Sequence, residues 1–327
     1  MTLPLSGAIS AKMINQEFNR WGGQSYQGQF RLWTDGAGLI NRGSKPISYS
    51  HFLGASNSKP IDSSISGGAF TTSGGNKIGT LTNTNAQGCM TINSTAKGSY
   101  SNVLTLMAVG AGGGGGGGGR QHQTESNGSV CGGGGGGGFN FNKTQNASTG
   151  QQYCGQPGKA GAGGTSKNRG STGGRTAISW PGTSAGGANG GGGGGSHGNG
   201  TNYTGLSGGN GGGGGGRYGT SITSSGGVAN QSGGKTGGAG NSSAAGGGGG
   251  MNSNGGGGVY GASDPYRRGG NGGGGINVSP FGVYGAGGGG ATGGSGGGGA
   301  GGNGGGGTGG QCVQGRGTAT AGSKQGG

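Results

Sequence analysis

The fold this sequence predicts is mostly irregular and all-β, with short N-terminal helices, a small β-sheet unit and a C-terminal bundle of polyglycine II helices bearing long loops. Four observations predict it. Of 327 residues, 110 are glycine. From Gly110 onward they gather into uninterrupted runs such as Gly112 to Gly119, Gly132 to Gly138, Gly190 to Gly195, Gly211 to Gly216 and Gly246 to Gly250. The segments between runs carry aromatic and basic residues, unlike the Ser and Gly filler of a tether. Residues 61–109, by contrast, have ordinary composition and an apolar period close to two.

Taken in order, Ser10 can cap a short amphipathic helix in which Ile14 and Phe18 stand four apart. Residues 46–54 read as a second capped turn that ends at Gly54. Ala69 to Thr72, Lys77 to Thr82, Cys89 to Asn93 and Asn102 to Val109 are the expected strands, separated by Gly, Asn and Ser. The last is the most apolar stretch of the chain and runs straight into Gly110. The expected domains are therefore 1–60, a β unit at 61–109 and a glycine region at 110–327.

Glycine-rich sequence is commonly a flexible coil, because glycine loses the most backbone entropy on ordering. Collagen would need Gly at every third place and abundant proline; seven prolines and no fixed phase exclude it. Polyglycine II rods leave every N–H and C=O pointing outward, to be satisfied by neighbouring rods once water is excluded. Only glycine allows so close an approach on all sides. Constant rods with variable tips fit the interruptions better than a coil does.

Catalysis finds little support. The five acids are Glu17, Asp35, Asp62, Glu125 and Asp264, and the three histidines are His51, His122 and His197, without an HExxH or nucleophile-elbow pattern. The nearest phosphate-loop pattern, Gly234-Lys235-Thr236, has Ala229 where its first glycine belongs. No enzyme, cofactor or metal is expected. A formal charge of +15 favours anionic partners in a salt-dependent way. Single-strand nucleic-acid binding is the alternative this allows. Scattered basic residues without RGG repeats argue against it, so no nucleic acid is expected. No signal peptide is expected at Met1 to Ser10, and no stretch approaches the 18 apolar residues of a membrane span.

Ser6-Gly7-Ala8-Ile9-Ser10, Ile14-Asn15-Gln16-Glu17-Phe18 and Lys45-Pro46-Ile47-Ser48-Tyr49-Ser50-His51-Phe52-Leu53-Gly54 resemble short pieces at the start of tailed-bacteriophage tail and tail-fibre proteins. Leu106 to Gly119, an apolar strand opening into glycine, resembles the glycine-rich domain of such proteins. The layout is similar to the tip adhesins of T-even-like long tail fibres, although the amino-terminal segment does not look like their fibre-capping domain. The resemblance implies a virion protein at the tail or tail-fibre tip, assembled in the host cytoplasm, with residues 1–60 as the attachment segment and 61–109 as a connector. It implies recognition of a bacterial outer-surface receptor, an outer-membrane protein or lipopolysaccharide, alongside other tail proteins, as a homotrimer or as a monomer capping a trimer. A structural tail component is the alternative.

The receptor-binding loop candidates are Phe139, Phe141, Trp180, Tyr203, Tyr218, Tyr266, Arg267, Arg268, Phe281 and Tyr284, since aromatic and Arg side chains dominate binding hot spots. Each aromatic has a plain alternative, which is to seal an end or flank of the bundle. Cys89, Cys131, Cys154 and Cys312 are too dispersed for a zinc motif. Assembly in a reducing cytoplasm makes free thiols the expectation, and a Cys131–Cys154 bridge is left open because the two border one interruption.

Overall fold

A computed structural model describes residues 60–73, 75–96, 100–117, 119–120, 129–164, 168–196, 203–217, 223–242, 244–259, 268–279, 281–293, 298–303, 306–307, 309 and 311–312. The strands are β1 (Asp62–Ser66), β2 (Gly68–Ser73), β3 (Asn76–Leu81), β4 (Gly88–Ser94), β5 (Val103–Val109), β6 (Gly119–Arg120), β7 (Ser129–Cys131) and β8 (Asn140–Asn146), followed by β9 (Gln152–Gln156), β10 (Thr176–Trp180), β11 (Thr183–Ala188), β12 (Gly216–Arg217), β13 (Ile276–Val278), β14 (Gly282–Tyr284), β15 (Thr292–Gly293) and β16 (Gln311–Cys312).

The expected fold class needs correction. Strands supply the regular structure, and among the described residues there is no α-helix and no helical bundle. The short helices expected at 10–18 and 46–54 lie outside the described residues. The physical reason is glycine itself, which costs about 1 kcal/mol per residue in an α-helix relative to alanine. Its N–H groups here donate to other segments instead of to their own fourth-preceding carbonyls.

A five-stranded sheet runs in the order β1-β4-β9-β10-β11, and β2 pairs with β3 as a hairpin. The segments expected as strands from Ala69 to Val109 fall within β2, β3, β4 and β5 or overlap them by all but a terminal residue. Two compact units divide the chain: residues 1–64, 91–104 and 145–151 in one, and 65–90, 105–144 and 152–327 in the other. In the first, Ile92 is fully buried, with its N–H donating to the Gln151 carbonyl and its own carbonyl accepting from Gly150.

The second unit is held largely by backbone. Its glycine runs are extended threads joined at every third residue: Gly110, Gly113 and Gly116 donate to the carbonyls of Phe139, Gly136 and Gly133. The residues one step on, Ala111, Gly114 and Gly117, donate to a different thread at Gly174, Ser171 and Asn168. A three-residue repeat thus points successive amides at different neighbours.

The thread from Ala245 to Gly250 shows the pattern complete. Ala245 and Gly248 donate to Ala291 and Gly288, Gly246 and Gly249 to Gly214 and Gly211, and Gly247 and Gly250 to Gly256 and Ser253. Its carbonyls accept from three further threads: Ala245 and Gly248 from Gly270 and Gly273, Gly246 and Gly249 from Gly134 and Gly137, and Gly247 from Gly238. Six neighbours therefore surround it, an arrangement of hexagonal packing. The buried side chains of this unit are mostly alanines, with Asn210, Thr292 and Ser196 fully buried among them. Asn210 fits that setting because its amide is spent on backbone: Nδ2 donates to the Gly137 carbonyl (3.0 Å) and Oδ1 accepts from the Lys235 N–H (2.8 Å).

Candidate functional site: the two ends of the glycine lattice

Thread direction decides which connections meet. Gly110 stands opposite Phe139, and Phe139 donates to Asn189, so all three lie at the end where β5 enters. Gly192 donating to Asn210, Gly249 to Gly211, Met251 to Gly285 and Gly275 to Asn303 extend this near end across the lattice. Gly117, Gly132, Gly195, Gly215, Ala245, Gly258, Gly269 and Ala291 mark the opposite, far end by the same registers.

This divides the candidate residues into two groups. Phe139, Phe141, Trp180, Phe281 and Tyr284 belong to near-end connections. Trp180 closes β10 before the turn at Gly182, whose φ of 80° suits a residue without Cβ, and its side chain is buried. Phe139 is half-buried in the lattice edge. Phe281 and Tyr284 are half-buried on the β13–β14 hairpin, where the Tyr284 hydroxyl donates to the Phe281 carbonyl at 2.7 Å. Phe141 lies in β8.

Tyr203 and Arg268 belong to the far end. The Tyr203 carbonyl accepts from the Gly215 N–H, and Arg268 is exposed and bridges Val259 in both directions (2.8 and 3.1 Å). Tyr218, Tyr266 and Arg267 lie outside the described residues. Their flanking residues, Arg217 in β12 and Arg268 at the bridge, are far-end residues.

The described frame of the far end is a set of short ladders. β12-β7-β6 form a three-stranded antiparallel sheet, and β15 pairs in parallel with β16. Bridges join Asn241 to Ala244 and Ala244 to Thr292, while the Asn241 amide donates to the Gly258 carbonyl at 2.7 Å. The β6–β7 pairing and the Val259–Arg268 bridge each fix both ends of one connection, which lowers the ordering entropy a loop would lose on binding. Arg120 and Arg217 sit on the two strands flanking β7, opposite Ser129 and Val130. Sequence reasoning passed over these as site residues, since only thread direction brings them to the end that holds Arg268.

The sheet of the near end is tied by a disulfide between Cys89 on β4 and Cys154 on β9. That corrects the expectation of free thiols and excludes the Cys131–Cys154 bridge. Sheet order makes β4 and β9 neighbours, which no sequence spacing discloses. Beside it, Tyr153 is only 4% exposed, and burial pushes its hydroxyl above the ordinary value of 10.0. The folded state then holds its phenol proton where the unfolded chain has begun to lose it, so stability is full below pH 10 and falls as pH rises past 10. Tyr153→Phe should flatten this alkaline slope in urea titrations between pH 8 and 11; an unchanged slope would refute the assignment.

Among the described residues no three His, Cys, Asp or Glu side chains gather as a metal site, and no helix is long and apolar enough to cross a membrane. Comparison with protein-family models, curated proteins and solved structures gives no match.

Proposed function

We propose that this chain is a bacteriophage tail adhesin that binds a receptor on the bacterial surface through the connections at the far end of its glycine lattice. The observation that carries the reading is the alternation of thread direction, which brings Gly117, Gly195, Gly215, Gly258 and Ala291 to one end. Tyr203 and Arg268 lie at that end, Tyr218, Tyr266 and Arg267 stand next to its residues in sequence, and all five are residue types that supply hot spots. The resemblance of the chain's opening segments and of Leu106 to Gly119 to tail-fibre proteins supports the setting. The net charge of +15 suits an anionic partner such as lipopolysaccharide or an acidic outer-membrane protein. The near-end aromatics have a structural reading instead, most clearly the buried Trp180.

Replacing residues 260–267 and 218–222 by Gly-Ser of equal length tests this. Adsorption of the purified protein to susceptible cells should fall by about 30-fold, the equivalent of one lost hot spot of about 2 kcal/mol. The same replacement in the near-end hairpin at 276–284 should leave adsorption unchanged. Undiminished adsorption after every far-end connection has been exchanged, with the melting curve intact, would leave a structural tail role in its place.

A further inference from the structure

We propose that Cys131 and Cys312 form a second disulfide, which ties the thread at residues 306–312 to β7 at the far end of the lattice. The chain has four cysteines, and Cys89 and Cys154 are paired with each other. The remaining two sit on short strands that approach each other: Cys131 ends the three-residue β7, Cys312 ends the two-residue β16, and Cα atoms of the two strands come within 8 Å.

Backbone register puts the two cysteines at nearly the same height. The Ala291 N–H donates to the Gly132 carbonyl, which sets Thr292 level with Cys131 on the antiparallel thread. Thr292 and Gly293 in turn partner Gln311 and Cys312 in parallel. Cys312 is therefore one residue above the level of Cys131. A disulfide needs a Cα separation of about 4.4–6.8 Å, a distance that strands whose Cα atoms already approach within 8 Å reach with a small shift.

The thread this bond would secure is half-buried at Gly306, Gly307 and Gly309. Gly309 donates to Gly299 and Gly307 accepts from Gly289. A bond at Cys312 holds that thread in register and gives the far-end connections a covalent boundary. The proposal stands apart from the receptor reading.

The chemistry is thiol–disulfide exchange with a small-molecule disulfide as oxidant. The thiolate of one cysteine attacks oxidised glutathione and releases one glutathione thiolate. The second cysteine, as thiolate, then attacks the protein sulfur of the mixed disulfide and releases the other. In sum, two protein thiols and one oxidised glutathione give one protein disulfide and two reduced glutathiones.

The full chain, incubated with oxidised glutathione, would be denatured without reductant for thiol titration and digested for peptide mapping. The expected result is no free thiol and a peptide pair linking Cys131 to Cys312 beside the Cys89–Cys154 pair. Cys312→Ser should leave Cys131 as a free or glutathione-capped thiol with Cys89–Cys154 intact. Free or glutathione-capped Cys131 and Cys312 in the unsubstituted chain would overturn the proposal, as would pairing of either with Cys89 or Cys154.

Discussion

Gly248→Ala should destabilise the glycine lattice by at least about 3 kcal/mol, the upper end of what overpacking ordinarily costs. A methyl group at Gly248 would lie 2.0 Å from the Gly135 carbonyl oxygen and 2.5 Å from its carbon. Those are main-chain atoms, so no rotamer can relieve the clash, and the threads themselves must part. Gly248 also donates to Gly288 and accepts from Gly273, so movement toward either side breaks a buried hydrogen bond. Gly115→Ala is the matched control, because its Cβ would find nothing nearer than the Gly133 carbonyl oxygen at 3.8 Å and the position is exposed. There the loss of unfolded-state entropy dominates, and the variant should be neutral or gain about 0.4–1 kcal/mol. Urea denaturation of both proteins checks the pair, and equal midpoints would mean the threads are not closely packed.

Removing the Cys89–Cys154 bond by Cys89→Ser together with Cys154→Ser should cost about 4 kcal/mol on the chain-entropy account, given its sequence separation of 65. The loop it closes contains β5 and the first two glycine threads, the ones that begin the lattice. Among the described residues, fully buried apolar side chains larger than alanine are scarce, Ile92 being the largest. The crosslink is therefore a large share of a net stability that is ordinarily about 5–15 kcal/mol. Denaturant midpoints of the oxidised protein and the double variant measure the difference, and coincident curves would show that the loop is already constrained by its threads.

Much of this was legible in residue order where side chains carry the instruction. Alternation marked β2 to β5 because a strand shows opposite faces at successive residues, and Val103 to Val109 reads directly into Gly110. The partners of each thread were not legible. Gly246 and Gly247 are chemically identical, yet one donates to Gly214 and the other to Gly256, a choice made by position alone. The disulfide was hidden for a related reason, since Cys89 meets Cys154 only through the sheet order β4-β9. Of the candidate residues, Trp180 shows what composition leaves open: an aromatic beside proline and glycine suits either a displayed tip or a sealed flank, and the structure buries it at the end of β10.

The up-and-down course of the threads also constrains how such a chain can grow. Insertion of one more thread would send every later connection to the opposite pole, moving Arg268 from the outer face to the β5 side. Only additions or deletions in pairs preserve polarity. Length variation among relatives should therefore come in even steps of a run, a turn and a returning run.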